Sequence, residues 1–232
     1  MNLITRDHCS PCRARESNQR FNEVITNPAE IEKRSFEIIS EKLADREFDP
    51  HQINVIKRVI HTTADFDYAD NMAFSDGAVM IAKEALKNGA RIVTDTNMAK
   101  SGINKKAARQ LGCDLHCFID APEVAEAAQR SGFTRSREAV DRAADMLDNP
   151  MIFVVGNAPT ALIRLYELIT ARALSPSLII AAAVGFVNVV ESKEMIMELD
   201  VPYIAAKGQK GGSTVAAAIC NALLYETTGR SK

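Results

Sequence analysis

MIFVVGNAPTAL, residues 151–162, is the stretch whose reading decides the fold. Met151 to Val155 is apolar at every position and rich in β-branched side chains. A strand with one face in water would alternate, so this run predicts a strand covered on both faces. Gly156, Asn157 and Pro159 then break the run, and a helical stretch follows. Strand, glycine-bearing turn and helix in that order form the repeating unit of a parallel α/β sheet.

The same rhythm extends in both directions. Strand-like runs recur at Ala90–Thr94, Leu115–Ile119, Leu178–Val184 and Pro202–Ala206, with helical stretches between most of them. A helix from about Ala78 closes at Gly89. Nearer the N-terminus, Asn27 reads as an N-cap, with Pro28 at the first helical position and Glu30 in the first turn, ahead of Ile31, Phe36, Ile38 and Ile39. Asp49, Pro50 and Gln52 signal another start, after which Ile53, Ile56 and Ile60 recur at helical spacing until Thr62 and Thr63. His61 therefore falls at a helix end. The expected architecture is a doubly wound α/β domain with a mainly parallel sheet of about five strands flanked by helices. It occupies residues 27–226 as a single domain, after a flexible extension over 1–26 and before a short tail over 227–232.

Composition sets limits on function. A chain of 232 residues with 47% hydrophobic and 25% charged content can bury one full core. The formal net charge of -2 and pI near 6.1 supply no general attraction to nucleic acid or an anionic membrane, so any basic site must be local. No segment reaches the roughly 18 apolar residues of a membrane span. Five cysteines, an odd set without disulfide spacing, predict free thiols and a cytoplasmic location.

In open α/β sheets the ligand lies beyond the carboxyl ends of the strands. The residues there are Asp95, Asn97 and Met98, then Asp120, then Gly156, Asn157, Pro159 and Thr160, then Gly185, and last KGQKGGS, residues 207–213. That final segment offers Lys207, Lys210, the permissive backbone of Gly211 and Gly212, and Ser213 at a helix start, a set suited to an anion. Phosphate and carboxylate fit it equally, and so does a surface turn whose lysines are merely solvated. Neither GxxxxGK[ST] nor GxGxxG stands between strand and helix, which removes the best support for a nucleotide. His61 has Arg58, Thr62, Thr63 and Asp65 around it, a setting that can tune an imidazole, although a histidine there also serves as a plain helix cap. His8, His51 and His116 have weaker claims. Cys9 and Cys12 beside His8, and Cys113, His116 and Cys117, are half-sites at most, so no metal site is expected.

At these same residues the sequence resembles the precorrin-8X methylmutase family, from about Pro28 to Glu226. The resemblance is carried by IEKRSFEII around Ser35, KRVIHTTAD around His61, FSDGAV, the stretch from Asp95 through Gly102, GFTRS, GNAPTAL, VGFVNVVESKE and KGQKGGS. It implies a homodimeric α/β isomerase that moves a methyl group on a tetrapyrrole from the α-carbon of ring C to the neighbouring β-carbon. It further implies His61 as the catalytic residue, Ser35 and Arg58 as substrate contacts, and Arg135 and Asn104 at the pocket. No organic cofactor follows from such a reaction, and any cobalt would belong to the substrate. With the strand-end residues Asp95, Met98, Asn157, Lys207, Lys210, Gly211, Gly212 and Ser213, these form the expected substrate-binding set. The family more usually carries Arg where this chain has Gln209, and the Cys9/Cys12 extension is atypical. Two other readings use the same residues: a corrinoid carrier without turnover, and a nucleotide enzyme built on KGQKGGS, with Asp95 and Asp120 as its acidic residues.

Overall fold

Asn27 opens the first helix as its side chain predicts: Oδ1 accepts from the N–H groups of Ala29 and Glu30 at 2.9 and 3.3 Å, with Pro28 at the first helical position. The computed structural model describes residues 24–146 and 150–229. The expected extension therefore lies almost wholly outside the described residues, His8, Cys9 and Cys12 included. Val24 and Ile25, the first described residues, are exposed.

In chain order the elements are α1 (Pro28–Lys42), α2 (Ile53–Thr63), α3 (Tyr68–Asn71), β1 (Met72–Phe74), α4 (Ala78–Lys87), β2 (Arg91–Thr94), α5 (Asn97–Gly102), α6 (Lys105–Gln110) and β3 (Asp114–His116). There follow α7 (Pro122–Ser131), α8 (Arg135–Ala144), β4 (Met151–Val155), α9 (Pro159–Thr170), β5 (Leu178–Ala181), α10 (Val189–Met197), β6 (Tyr203–Ala206) and α11 (Ser213–Thr227). Among the described residues the sheet has six strands in the order β1-β6-β5-β4-β2-β3, parallel throughout except for β1, which runs antiparallel to β6.

Local expectations change at several points. The strand expected at Leu178–Val184 ends at Ala181. The sixth strand is the three-residue edge β1, too short to show any periodicity. The strand expected at Leu115–Ile119 runs instead from Asp114 to His116, because Cys117 and Phe118 have already left the sheet. The second helix begins at Ile53, since Asp49 Oδ1 accepts the His51 N–H at 2.7 Å and makes a turn rather than a helix cap.

Both faces of the sheet are covered, as the unbroken apolar runs require. Ile92, Ile152, Val154, Leu178, Ile180 and Ile204 pack into one core with α2, α4 and α11. The intervening Val93, Phe153, Val155, Ile179, Ala181 and Ala205 pack into a second with Ala143, Leu162, Leu165 and Ile196 from α8, α9 and α10. Burying each large side chain of this kind stabilises by about 1.5–3 kcal/mol. Helix α11 is buried on most sides, and its small residues permit close contact: a Cβ on Gly102 would lie 2.9 Å from Ala217 Cβ. Among the described residues no helix is long and apolar enough to cross a membrane.

Candidate active site

The sheet's direction of travel reverses between β2 and β4, and a crevice is expected outside their carboxyl ends. Asp95, the residue after β2, fills its floor. The buried carboxylate accepts from the N–H groups of Gly156, Asn157 and Ala158 at 3.0, 2.7 and 2.8 Å. Desolvation by burial nevertheless raises its pKa above the ordinary carboxylate value, against the lowering effect of those donors. Thr96 Oγ1 and Ser213 Oγ share a hydrogen bond of 2.8 Å, which ties the start of α11 to the β2 loop. Gly156 makes this closure possible, because a Cβ there would stand 2.6 Å from the Ser213 Cα.

Above that floor the surface is open. Asn157, Lys207 and Arg135 are exposed, and Arg135 begins α8 next to Thr134, whose Oγ1 bonds Thr160 Oγ1 at 2.8 Å. Met98, Phe186 and Val187, in the segments that follow β2 and β5, are 69%, 84% and 76% exposed, so these segments present large apolar side chains as well as cations. Asn97 donates to Asp120, joining the β2 and β3 loops. Lys210 leaves the 207–213 loop to meet Asp65 and Asp67 at 2.6 Å each, which anchors that loop beyond the end of α2. The two carboxylates hold the Lys210 ammonium above its ordinary pKa, and the lysine in turn lowers that of Asp65.

The second group of residues lies between α1, α2 and α11. His61 is in the last turn of α2, where Ala64 in the left-handed conformation closes the helix by donating to Ile60 O at 2.7 Å. Its ring stacks on Phe36 of α1, with centroids 5.0 Å apart and planes 12° from parallel. One turn earlier, Arg58 places its guanidinium carbon 4.6 Å from the centroid of Phe36 and 5.1 Å from that of Tyr225. Arg58 Nη1 pairs with Glu32 Oε1 at 2.9 Å. Asn104 caps α6 with Oδ1 and donates from Nδ2 to the Tyr225 hydroxyl at 3.1 Å. Ser35 gives its hydroxyl to Ile31 O at 2.8 Å, in the helix turn that carries Phe36. Burial holds the His61 pKa below 6.5, Arg58 lowers it further, and Glu32 opposes both.

Thus Arg58, His61 and Asn104 meet around aromatic rings, Ser35 stands beside them, and the strand-end set gathers at the sheet's carboxyl edge. Helix α11 spans both groups: Ser213 belongs to one and Tyr225 to the other, about 18 Å apart at the helical rise. Asp95 and Ser213 spend their side chains on the fold. Sequence reasoning missed Glu32, Phe36 and Tyr225 as site residues. Phe36 and Glu32 lie within the IEKRSFEII segment and could have been found there, whereas nothing local marks Tyr225. Cys113 donates its thiol to Leu86 O, and no cluster of three or more His, Cys, Asp or Glu suited to a metal occurs among the described residues.

Comparison with known proteins gives one answer. The precorrin-8X methylmutase family profile matches residues 30–226. The cobalt-precorrin-8 methylmutase of Salmonella typhimurium is 46% identical over 206 residues, covering 87% of this chain and 96% of that protein. The precorrin-8X methylmutase of Pseudomonas aeruginosa is 40% identical over 174 residues, covering 73% of this chain and 81% of the relative. The crystal structure of precorrin-8x methyl mutase from Thermus thermophilus superposes with a TM-score of 0.79 at 38% identity, covering 87% of this chain and 99% of that one. Fold, matched length and identity agree, and this chain belongs to the precorrin-8X methylmutase family.

Proposed function

We propose that this chain, an isomerase of cobalamin biosynthesis by its family, moves a methyl group from the α-carbon to the β-carbon of ring C in precorrin-8X or cobalt-precorrin-8, giving hydrogenobyrinate or cobyrinate. The observation that carries this reading is the placement of His61 in the last turn of α2, stacked on Phe36 and one turn from Arg58. A half-buried imidazole beside a cation and an aromatic surface suits proton donation to a flat, electron-rich polyacid.

In this reading His61 protonates the macrocycle near ring C. The bond from the methyl to the α-carbon breaks and the bond to the β-carbon forms, after which the proton returns to His61. Nothing is oxidised or reduced, so the reaction calls for no organic cofactor, and cobalt travels with the substrate if present. In the free protein burial and Arg58 disfavour the imidazolium. Incoming substrate carboxylates act in the opposite direction and charge the acid as the complex forms. Arg58, Arg135 and Lys207 offer charge-assisted hydrogen bonds to those carboxylates, while Ser35, Asn104, Met98, Asn157, Gly211 and Gly212 line the approach and Lys210, engaged by Asp65 and Asp67, fixes the loop they meet. Asp95 and Ser213 act beneath them by holding the loops. Two copies acting as a homodimer in the cytoplasm complete the proposal, with the free thiols of Cys113, Cys117 and Cys220 consistent with a reducing compartment.

The test is to incubate purified protein with each substrate form in turn and follow the corrin product by absorbance. Product from at least one form is expected. Tight binding of both without turnover would make the chain a corrinoid carrier, and binding of a nucleotide in their place would favour the phosphate reading of KGQKGGS.

A further inference from the structure

Lys193 on α10 is fully buried, yet among the described residues no carboxylate meets it. Its Nζ donates to Gly208 O at 2.9 Å and to Lys210 O at 2.8 Å, two carbonyls of the 207–213 loop. A buried ammonium is costly, and the partners it has among the described residues are backbone dipoles. All peptide bonds among the described residues are trans, and a trans peptide points its N–H opposite to its C=O. Drawing the oxygens of Gly208 and Lys210 inward therefore turns the N–H groups of Gln209 and Gly211 away from Lys193. Gly211 has no room for a side chain, since a Cβ there would stand 2.2 Å from Ala182 O. The Gly212 N–H bonds that same oxygen at 2.8 Å and Gly185 N–H bonds Gln209 O at 3.2 Å, so the loop is also held from the β5 side.

We propose that Lys193 is a positioning residue whose ammonium holds the 207–213 loop with the N–H groups of Gln209 and Gly211 facing outward, as a seat for a carboxylate of the substrate. The proposal rests on the methylmutase reading for the identity of the anion. It makes the backbone of Gln209 and Gly211, and not a side chain, the donor pair of that seat.

The arrangement carries its own pH signature. Burial lowers the Lys193 pKa to about 8. Of the titratable groups on the elements around it, Glu191 and Glu194 on α10 and Lys207 and Lys210 on the loop are exposed, and β5 has none. On α9, Arg164 and Glu167 are committed to Asp141 and Arg137, leaving Tyr166, while β6 contributes Tyr203. Between about pH 7 and 9 substrate carboxylates stay ionised, so they add no titration of their own. His61, held below 6.5 in the free protein, regains a proton only in the complex, a contribution that wild type and a Lys193 variant share, and Lys210, held above its ordinary value, keeps its own.

The experiment compares wild type with Lys193→Met, which keeps the apolar stem and removes the ammonium. Folded Lys193→Met should show KM raised on the order of tenfold or more with kcat within about threefold. Wild-type KM should itself rise as pH passes 8, and more steeply than that of the variant, which keeps only the His61 contribution. A folded variant with wild-type KM, or a wild-type KM that is flat from about pH 7 to 9, overturns the proposal. If Lys193→Met does not fold, the wild-type pH arm decides, read together with the Gln209 and Gly211 amide resonances titrated with the corrinoid acid product. Should wild type fail to bind that acid, the methylmutase reading falls. Reorganisation of those two amides around pH 8 would then still report whether Lys193 holds the loop, and unmoved resonances would overturn it.

Discussion

Glu32 and Arg58 close an ion pair of 2.9 Å across the contact between α1 and α2, and both act on His61 with opposite sign. Arg58 lowers the imidazole pKa and Glu32 raises it. Replacing Glu32 by Gln removes only the raising influence, so the His61 pKa must fall further. An acid works in its protonated form, hence kcat/KM should decline with rising pH from a lower midpoint than in wild type. At neutral pH a several-fold loss is expected. An unshifted pH profile of kcat/KM in Glu32→Gln would detach the pair from the acid.

His61→Ala removes the proposed donor at a helix end that alanine occupies without strain. General acid catalysis contributes about 10²- to 10⁴-fold, and a loss of that size in single-turnover rate is expected under saturating substrate. His51→Ala, an exposed site in the turn before α2, should stay near wild type. Stability should respond as well. Because the folded-state His61 pKa lies below the ordinary 6.5, the unfolded chain binds more protons between those values, and wild type loses stability as pH falls through that window. His61→Ala should lose less over the same window. Wild-type turnover in the variant would move the methyl shift to positioning by Ser35, Arg58 and the loops.

These sites differ in how plainly the sequence announces them. Met151–Val155, and Leu178–Ala181 within the longer run expected at Leu178–Val184, were legible as buried strands because coverage on both faces removes alternation, leaving the apolar run as its own signal. Met72–Phe74 was not, since three residues cannot display a period and its pairing to β6 is a tertiary fact. Arg58 and His61 share a helix face one turn apart, which spacing alone can suggest. Tyr225 joins them from the far end of α11, and no local pattern predicts a contact between residues so distant in the chain. Asp95 was legible as a strand-end carboxylate, but its three backbone donors come from the loop after β4, so its structural use shows only in the fold.

The glycines at the crevice give a stability prediction independent of the chemistry. A Cβ on Gly156 would lie 2.6 Å from Ser213 Cα and 2.9 Å from Ser213 N, backbone atoms of a buried helix start that cannot swing aside. Gly156→Ala should therefore cost about 1–3 kcal/mol or more in denaturant unfolding. Gly112→Ala, where a Cβ meets nothing within 4 Å, should cost only the smaller penalty of its positive φ of 69°. Equal losses at the two positions would mean that the Gly156 to Ser213 approach is looser than its geometry.

Asp95→Asn separates the role of that carboxylate in the fold from any role in catalysis. Asparagine keeps one acceptor oxygen but turns an NH2 toward N–H donors that the carboxylate now receives, leaving at least one buried donor unmatched. A loss of about 2–4 kcal/mol is expected, seen as a thermal midpoint lower by roughly 5–15 °C. The pH dependence has a definite sign. Burial raises the folded-state pKa of Asp95, so its linkage contribution is fully present below the unfolded value and fades as pH rises through the folded one. The substituted amide cannot titrate, and the stability curve of Asp95→Asn should be flatter across that acidic interval. If the variant keeps the wild-type midpoint and loses turnover instead, the carboxylate serves the substrate and not the loops that surround it.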